Sequence, residues 1–170
     1  MDFKEVLFKR RSKRSFIDKE VEDDKIQKLL EAAMAAPSAH NKQPWQFIVI
    51  KDNETMDKIM GFHNYSKMLK EAPVAIAVCG DKNAYKDFWV QDCSAATQNL
   101  LLMAENLGLG AVWLGMYPVE EYYPKLADLL ELPDNIIPLN IIAVGYSDKE
   151  SKRRDRYDEN KVHYEKFNNN

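Results

Sequence analysis

The chain has 170 residues, 45% of them hydrophobic and 30% charged, with a formal net charge of −3. That length supports one domain with a real core, and the composition is ordinary for a soluble globular protein. It excludes a membrane-spanning class, because no apolar run reaches the roughly 18 residues a bilayer needs. The start, Met-Asp-Phe-Lys-Glu, lacks the apolar core of a signal peptide. The acidic balance and the lack of a groove-reading module argue against nucleic acid as a partner. Cys79 and Cys93 are too few for a disulfide framework or a zinc site. They are expected as reduced, buried thiols, which makes a cytoplasmic location the default.

Phe3, Val6 and Leu7 recur at helical spacing over residues 2–10. Ile26, Leu29, Leu30 and Ala33 repeat the pattern over 23–35. Asp23 and Asp24 sit at its start, where acidic groups favour the helix dipole. Ala36-Pro37-Ser38-Ala39-His40-Asn41 breaks that helix, and Phe47–Ile50 reads as a buried strand. Short helical pieces cover about 54–60 and 65–71, and Val74–Cys79 is a second strand. The longest helical pattern spans 86–107, with Asp87, Asp92 and Glu105 among its few charges. It is apolar or small nearly all round, so it needs cover on more than one side.

Gly108 ends that helix, as a glycine just past a helix does. Ala111–Gly115 is a third strand, Pro118 opens a helix to about Leu130, and Leu139–Val144 is a fourth strand. The tail over 147–170 is polar and basic, with Val162, Tyr164 and Phe167 as apolar points. Four strands and about five helices in this order predict a layered α/β or α+β domain. A second copy of the chain is the simplest cover for the long helix, which predicts an obligate homodimer.

Lys9, Arg10, Arg11, Lys13 and Arg14 crowd one short stretch, broken by Ser12. In an acidic chain this predicts a local anion site. Arginine forks and a serine hydroxyl suit a phosphate monoester. A second basic cluster, Lys149, Lys152, Arg153, Arg154 and Arg156, would by itself be a solvated tail. The glycines at 108, 110 and 115 fail as a dinucleotide fingerprint. The third fingerprint glycine would fall at Trp113, and the segment runs from helix to strand rather than from strand to helix.

His40, His63 and His163 show neither metal spacing nor a triad pattern, and are expected at the surface. The loop Pro37-Ser38-Ala39-His40-Asn41-Lys42-Gln43-Pro44-Trp45 is more specific. Two prolines stiffen it, and Asn41 and Gln43 can both donate and accept hydrogen bonds. It suits a planar heterocycle with polar edges, or else a capped turn.

The run from Arg10 to Phe16 resembles the N-terminal signature of the nitroreductase family of FMN-dependent oxidoreductases. So do Ala36–Trp45 and the Gly108–Gly115 segment. Arg154-x-Arg156, after Ile142-Ala143-Val144-Gly145-Tyr146, is similar to the family's C-terminal basic pair. The likeness covers nearly the whole chain, in order. It implies an α+β, three-layer fold with a central mixed, mainly antiparallel sheet flanked by helices. It also implies one domain over 1–170, as an intertwined homodimer with 147–170 embracing the partner.

The resemblance further implies a tightly bound FMN at each dimer interface. Arg10, Arg154 and Arg156 would clamp its phosphate. Arg11, Ser12 and Arg14 would contact the phosphate, ribityl chain and pyrimidine edge. Pro37, Ser38, Ala39 and Asn41 would reach the flavin from the other subunit, with Gln43 at the outer end. Asn64 and Lys67 would stand near the pyrimidine edge. Trp113, Leu114 and Gly115 would supply the strand end that faces the ring near N5. Lys9 and Lys13 are expected to face solvent.

The implied activity is a ping-pong transfer of hydride from NAD(P)H, through flavin N5, to a nitroaromatic, quinone or similar small acceptor. No acid or base side chain is required. Two other readings stay open: a flavin-storage protein with little turnover, and a reductive dehalogenase-like flavoenzyme. The chain departs from larger members in having little room between Gly115 and Pro118 for a covering insertion. It also carries Lys13 where an apolar residue is more usual.

Overall fold

Residues 2–153 and 155–167 are described by a computed structural model. Among these residues five α-helices and four strands follow in the order α1 (Phe3–Lys9), α2 (Asp23–Met34), β1 (Trp45–Ile50), α3 (Asn53–Phe62), β2 (Val74–Asp81), α4 (Trp89–Asn106), β3 (Gly110–Gly115), α5 (Tyr123–Leu129) and β4 (Ile136–Gly145). The sheet order is β1-β2-β4-β3, so β2 and β4 are central and β1 and β3 are edges. All three ladders are antiparallel. An isolated parallel bridge from Ser12 to Ala111 lays the chain start along the outer side of β3.

Strand alternation builds the layers. Val74, Ile76 and Val78 of β2 and Ile142 and Val144 of β4 face one core, together with Ile26, Leu29, Leu100 and Ala104 of α2 and α4. Ala75, Ala77 and Cys79, with Ile141 and Ala143, face the other core beside Met56, Ile59 and Leu126 of α3 and α5. Successive side chains of a strand point to opposite faces, so each central strand serves both cores. Leu29, Leu100, Ile76 and Ile142 are fully buried, each worth roughly 1.5–3 kcal/mol against exposure. The result is a three-layer α+β fold, as expected.

Local chemistry sets most of the ends. Asp2 caps α1 by accepting the Lys4 N–H at 3.2 Å. Asp52 caps α3 by accepting the Thr55 N–H at 2.7 Å. Gly108, at φ +73°, closes α4 in the left-handed conformation expected of a glycine there.

Three elements differ from expectation. The helix expected from Pro118 begins at Tyr123 instead, with Pro124 in its first turn. Residues 116–122 are spent on turns in which Val119 N–H donates to Met116 O, and Tyr122 N–H to Val119 O. The piece at 65–71 is a 3-10 turn over Lys67–Lys70. The long helix starts at Trp89 rather than Lys86. It is also largely covered from within the chain, by α2, α1 and the sheet. What stays open is a groove of about 430 Å³ lined by Phe3, Val6, Ala32, Ala35, Leu102 and Met103, among others.

Candidate functional site

Arg10 ends α1, and its backbone N–H still donates to Val6 O at 3.0 Å. Arg11 turns back over it, giving one N–H to Arg10 O at 2.8 Å and another to Lys152 O at 2.9 Å. That second bond fastens the tail to the chain start across 141 residues. Arg10 and Arg11 thereby share a pocket of about 430 Å³ with Arg153, Asp155, Arg156, Tyr157, Leu7 and Phe8. Arg153 lies over the Phe8 ring at 4.4 Å, a cation–π contact. Arg10 and Arg156, expected on one ligand, line the same pocket. Arg154 lies outside the described residues. Arg153 joins the pocket, which the two-arginine spacing did not indicate.

From Arg11 the chain runs along β3. Lys13 N–H donates to Ala111 O at 3.0 Å. In an antiparallel strand, the backbone groups of alternate residues turn the same way. Ala111, Trp113 and Gly115 therefore direct N–H and C=O away from β4. Ser12 is exposed on this edge, and Arg14, two residues on, is exposed as well. A Cβ built on Gly115 meets nothing within 4 Å, so the strand end opens onto space that a ligand could approach closely.

Two expectations fail at this edge. Lys13 is buried, not solvent-facing: its stem packs over Gly110, and its ammonium donates to Lys149 O. His63 is buried too, at 3% exposure, and its Nε2 lies 3.0 Å from Gly115 O. A signal for it was available, since Met56, Ile59 and His63 fall on one helical face. Asn64 and Lys67 follow directly and are exposed.

The Pro37–Trp45 loop is tightly wound. His40, Asn41 and Gln43 all hold left-handed backbones, at φ 50°, 54° and 47°. Each such residue costs on the order of 1 kcal/mol, and such strain persists where the surroundings over-determine it. Here Ser38 Oγ accepts the Gln43 N–H at 3.0 Å, Asn41 Oδ1 accepts from Gln43 Nε2 at 2.7 Å, and Asp92 Oδ1 accepts the Ala39 N–H at 3.1 Å. Pro37 is exposed and the His40 ring stands edge-on to Tyr85 at 5.6 Å.

This loop enters β1, whereas Gly115 ends β3, at the opposite edge of the sheet. Three strand spacings separate the edges, about 14 Å. Ser12 lies on β3 through its bridge to Ala111, with Arg11 beside it in the pocket of Arg10 and Arg156, and the segment that precedes Asn64 and Lys67 meets Gly115 through His63. Pro37, Ser38, Ala39, Asn41 and Gln43 are left at the other edge.

Among the described residues, no group of three His, Cys, Asp or Glu could hold a metal ion. No helix there is long and apolar enough to cross a membrane. Cys79 and Cys93 are free and buried, as expected, and burial pushes both thiols up to about 12.

An arginine-lined pocket at the chain start and an open strand end at Gly115, on an antiparallel three-layer sheet, describe an α+β protein with room for an anionic ligand. The nitroreductase family model matches residues 7–62 and 61–146. A protein of Methanothermobacter thermautotrophicus described as an NADH dehydrogenase/NAD(P)H nitroreductase is 46% identical over 98% of this chain and 88% of its own. A crystal structure from Parabacteroides distasonis, described in the same terms, superposes with a TM-score of 0.94 at 41% identity, covering 97% of this chain and 98% of that one. A nitroreductase crystal structure from Desulfovibrio desulfuricans, in complex with FMN, gives 0.85 at 32% identity over 99% of both chains. The chain belongs to the nitroreductase family. It is an NAD(P)H-dependent flavin oxidoreductase of the nitroreductase type.

Proposed function

We propose that this protein transfers hydride equivalents from NAD(P)H to a nitroaromatic, quinone or similar small acceptor, using FMN held along the β3 edge. The observation that carries this is the convergence of Arg10, Arg11, Arg153 and Arg156, from opposite ends of the chain, on one pocket. Guanidinium forks match a phosphate monoester. The open face at Gly115 supports a flat ring beside it. Bound FMN supplies the redox centre, and the protein binds, orients and tunes it.

Each residue has a task in this reading. Arg10 and Arg156 neutralise the phosphate. Arg11 braces the tail while contributing a guanidinium to the same pocket. Ser12, bridged to β3, and the exposed Arg14 would reach the ribityl chain and the pyrimidine edge. Arg14 and Lys67 add positive charge where a reduced ring carries negative charge. The outward N–H groups of Trp113 and Gly115 would face the ring edge. NAD(P)H and acceptor use the same open face in turn.

The separation of the Pro37–Gln43 loop from Gly115 supports a homodimer, in which a second copy brings its loop to each site. The open apolar groove beside α1, α2 and α4 supports the same assembly. So do the tail aromatics Tyr157, Tyr164 and Phe167, exposed at 77%, 75% and 78%. The tail then embraces the partner, completing one domain over 1–170.

The visible spectrum of purified protein saturated with FMN tests the reading. Flavin bands that bleach with NADH or NADPH and recover on adding a quinone or nitroaromatic are expected. FMN bound without NAD(P)H oxidation would instead indicate flavin storage, and a chain that takes up no FMN would sink the proposal.

A further inference from the structure

We propose that His63 is a positioning residue for the flavin edge. It holds the Gly115 carbonyl, and so sets where the outward N–H of that same residue stands. The inference rests on the proposed FMN site along β3.

His63 stands at the C-cap of α3. Tyr65 N–H donates to its Nδ1 at 3.3 Å, so the ring proton resides on Nε2, which donates to Gly115 O at 3.0 Å. The Tyr122 ring lies 4.4 Å away between centroids. Ser66 Oγ–H donates to His63 O at 2.7 Å. The imidazole is therefore fixed by a backbone donor, a backbone acceptor and an aromatic face, and it is buried.

What it joins gives the bond its meaning. The bond spans 52 residues and ties the segment bearing Asn64 and Lys67 to the strand end bearing Leu114 and Gly115. Among the described residues, the outer side of β3 beyond Ala111 has no neighbouring strand. Gly115 also has no side chain to anchor its end of the strand. A buried hydrogen bond is the kind of restraint that keeps a binding geometry within a few tenths of an ångström.

The test measures two quantities on the full chain, the FMN dissociation constant and the midpoint potential of bound FMN. His63→Phe keeps a ring against Tyr122 without a donor, and His63→Gln keeps an N–H donor near the Nε2 position. The Phe variant is expected to weaken FMN about threefold to tenfold, the worth of one hydrogen bond, and to shift the potential. The Gln variant stays within about twofold of wild type on affinity, with an unshifted potential.

Binding lost equally from oxidised and reduced FMN leaves the potential unmoved, so an unmoved potential in the Phe variant overturns the proposal. So does a Phe variant that matches wild type, or a Gln variant as impaired as Phe. Should the Phe variant not fold, His63→Asn, whose shorter amide falls short of Gly115 O, takes its place with the same expected result. Wild-type protein that takes up no FMN sinks the FMN site, and this inference with it. Wild-type protein that binds FMN, beside variants that behave like it, sinks this inference alone.

Discussion

Asp92 Oδ1 accepts the backbone N–H of Ala39 at 3.1 Å, joining the first turn of α4 to a loop 53 residues earlier. Hydrogen bonds to carboxylate acceptors contribute roughly 1.5–3 kcal/mol. Here the gain is offset, because Asp92 Oδ2 is buried with no partner among the described residues. Asp92→Ala should therefore lose only about 1 kcal/mol of stability in urea unfolding. It should weaken FMN more than that loss implies, because three left-handed residues depend on the anchored loop. Asp92→Asn keeps an acceptor oxygen and should lie between. An Ala variant with wild-type FMN affinity would show that the anchor is dispensable.

Arg10→Ala should lower FMN affinity about tenfold to hundredfold, as the loss of one charge-assisted contact predicts. Folding should be spared, because the link from Arg10 back to α1 is made by its backbone N–H. Titration of FMN fluorescence at two salt concentrations, beside a thermal melt, separates the effects. Lost folding with unchanged FMN affinity would contradict the phosphate assignment.

Two glycines give opposite predictions for one kind of change. A Cβ on Gly80 lands 2.2 Å from the Trp89 ring, so Gly80→Ala should cost about 1–3 kcal/mol by overpacking. A Cβ on Gly115 meets nothing within 4 Å. Gly115→Val should leave stability within about 0.5 kcal/mol, since a β-branched residue suits a strand. It should nevertheless exclude FMN from the strand edge. A Gly115→Val chain that binds FMN as wild type does would remove the ring from this edge.

The strands were legible because alternation and apolar runs are local signals, and β2 and β4 are buried on both faces. The start of α5 is ambiguous in the sequence because two prolines, Pro118 and Pro124, carry the same opening signal. Only the turn bonds from Met116 to Tyr122 decide between them. Arg10 and Arg156 are joined in the sequence only by the family resemblance, because nothing local links them; the physical link, Arg11 reaching Lys152 O, is a tertiary contact across 141 residues. His63 and Lys13 depart from the surface expectation for one reason. Polar residues are mostly exposed, and these two are buried because backbone carbonyls 52 and 136 residues away accept their protons.

Glu22 should show its hydrogen bonding in the pH dependence of stability. Its carboxylate accepts the Tyr146 hydroxyl at 2.7 and 2.9 Å, and Lys25 lies 3.5 Å away. The tyrosine bond is the leading cause that lowers its pKa from 4.5 to about 2. A depressed folded value means that the folded state holds the proton less tightly than the unfolded chain. The contribution is therefore present above 4.5 and is lost as the pH falls toward about 2. Urea midpoints of wild type and Glu22→Gln should converge across that window, with wild type falling more steeply. High salt should reduce the difference only in part, because the hydroxyl bond is unscreened while the Lys25 attraction is screened. Parallel curves at all pH values would mean that the Glu22–Tyr146 contact does not persist in solution.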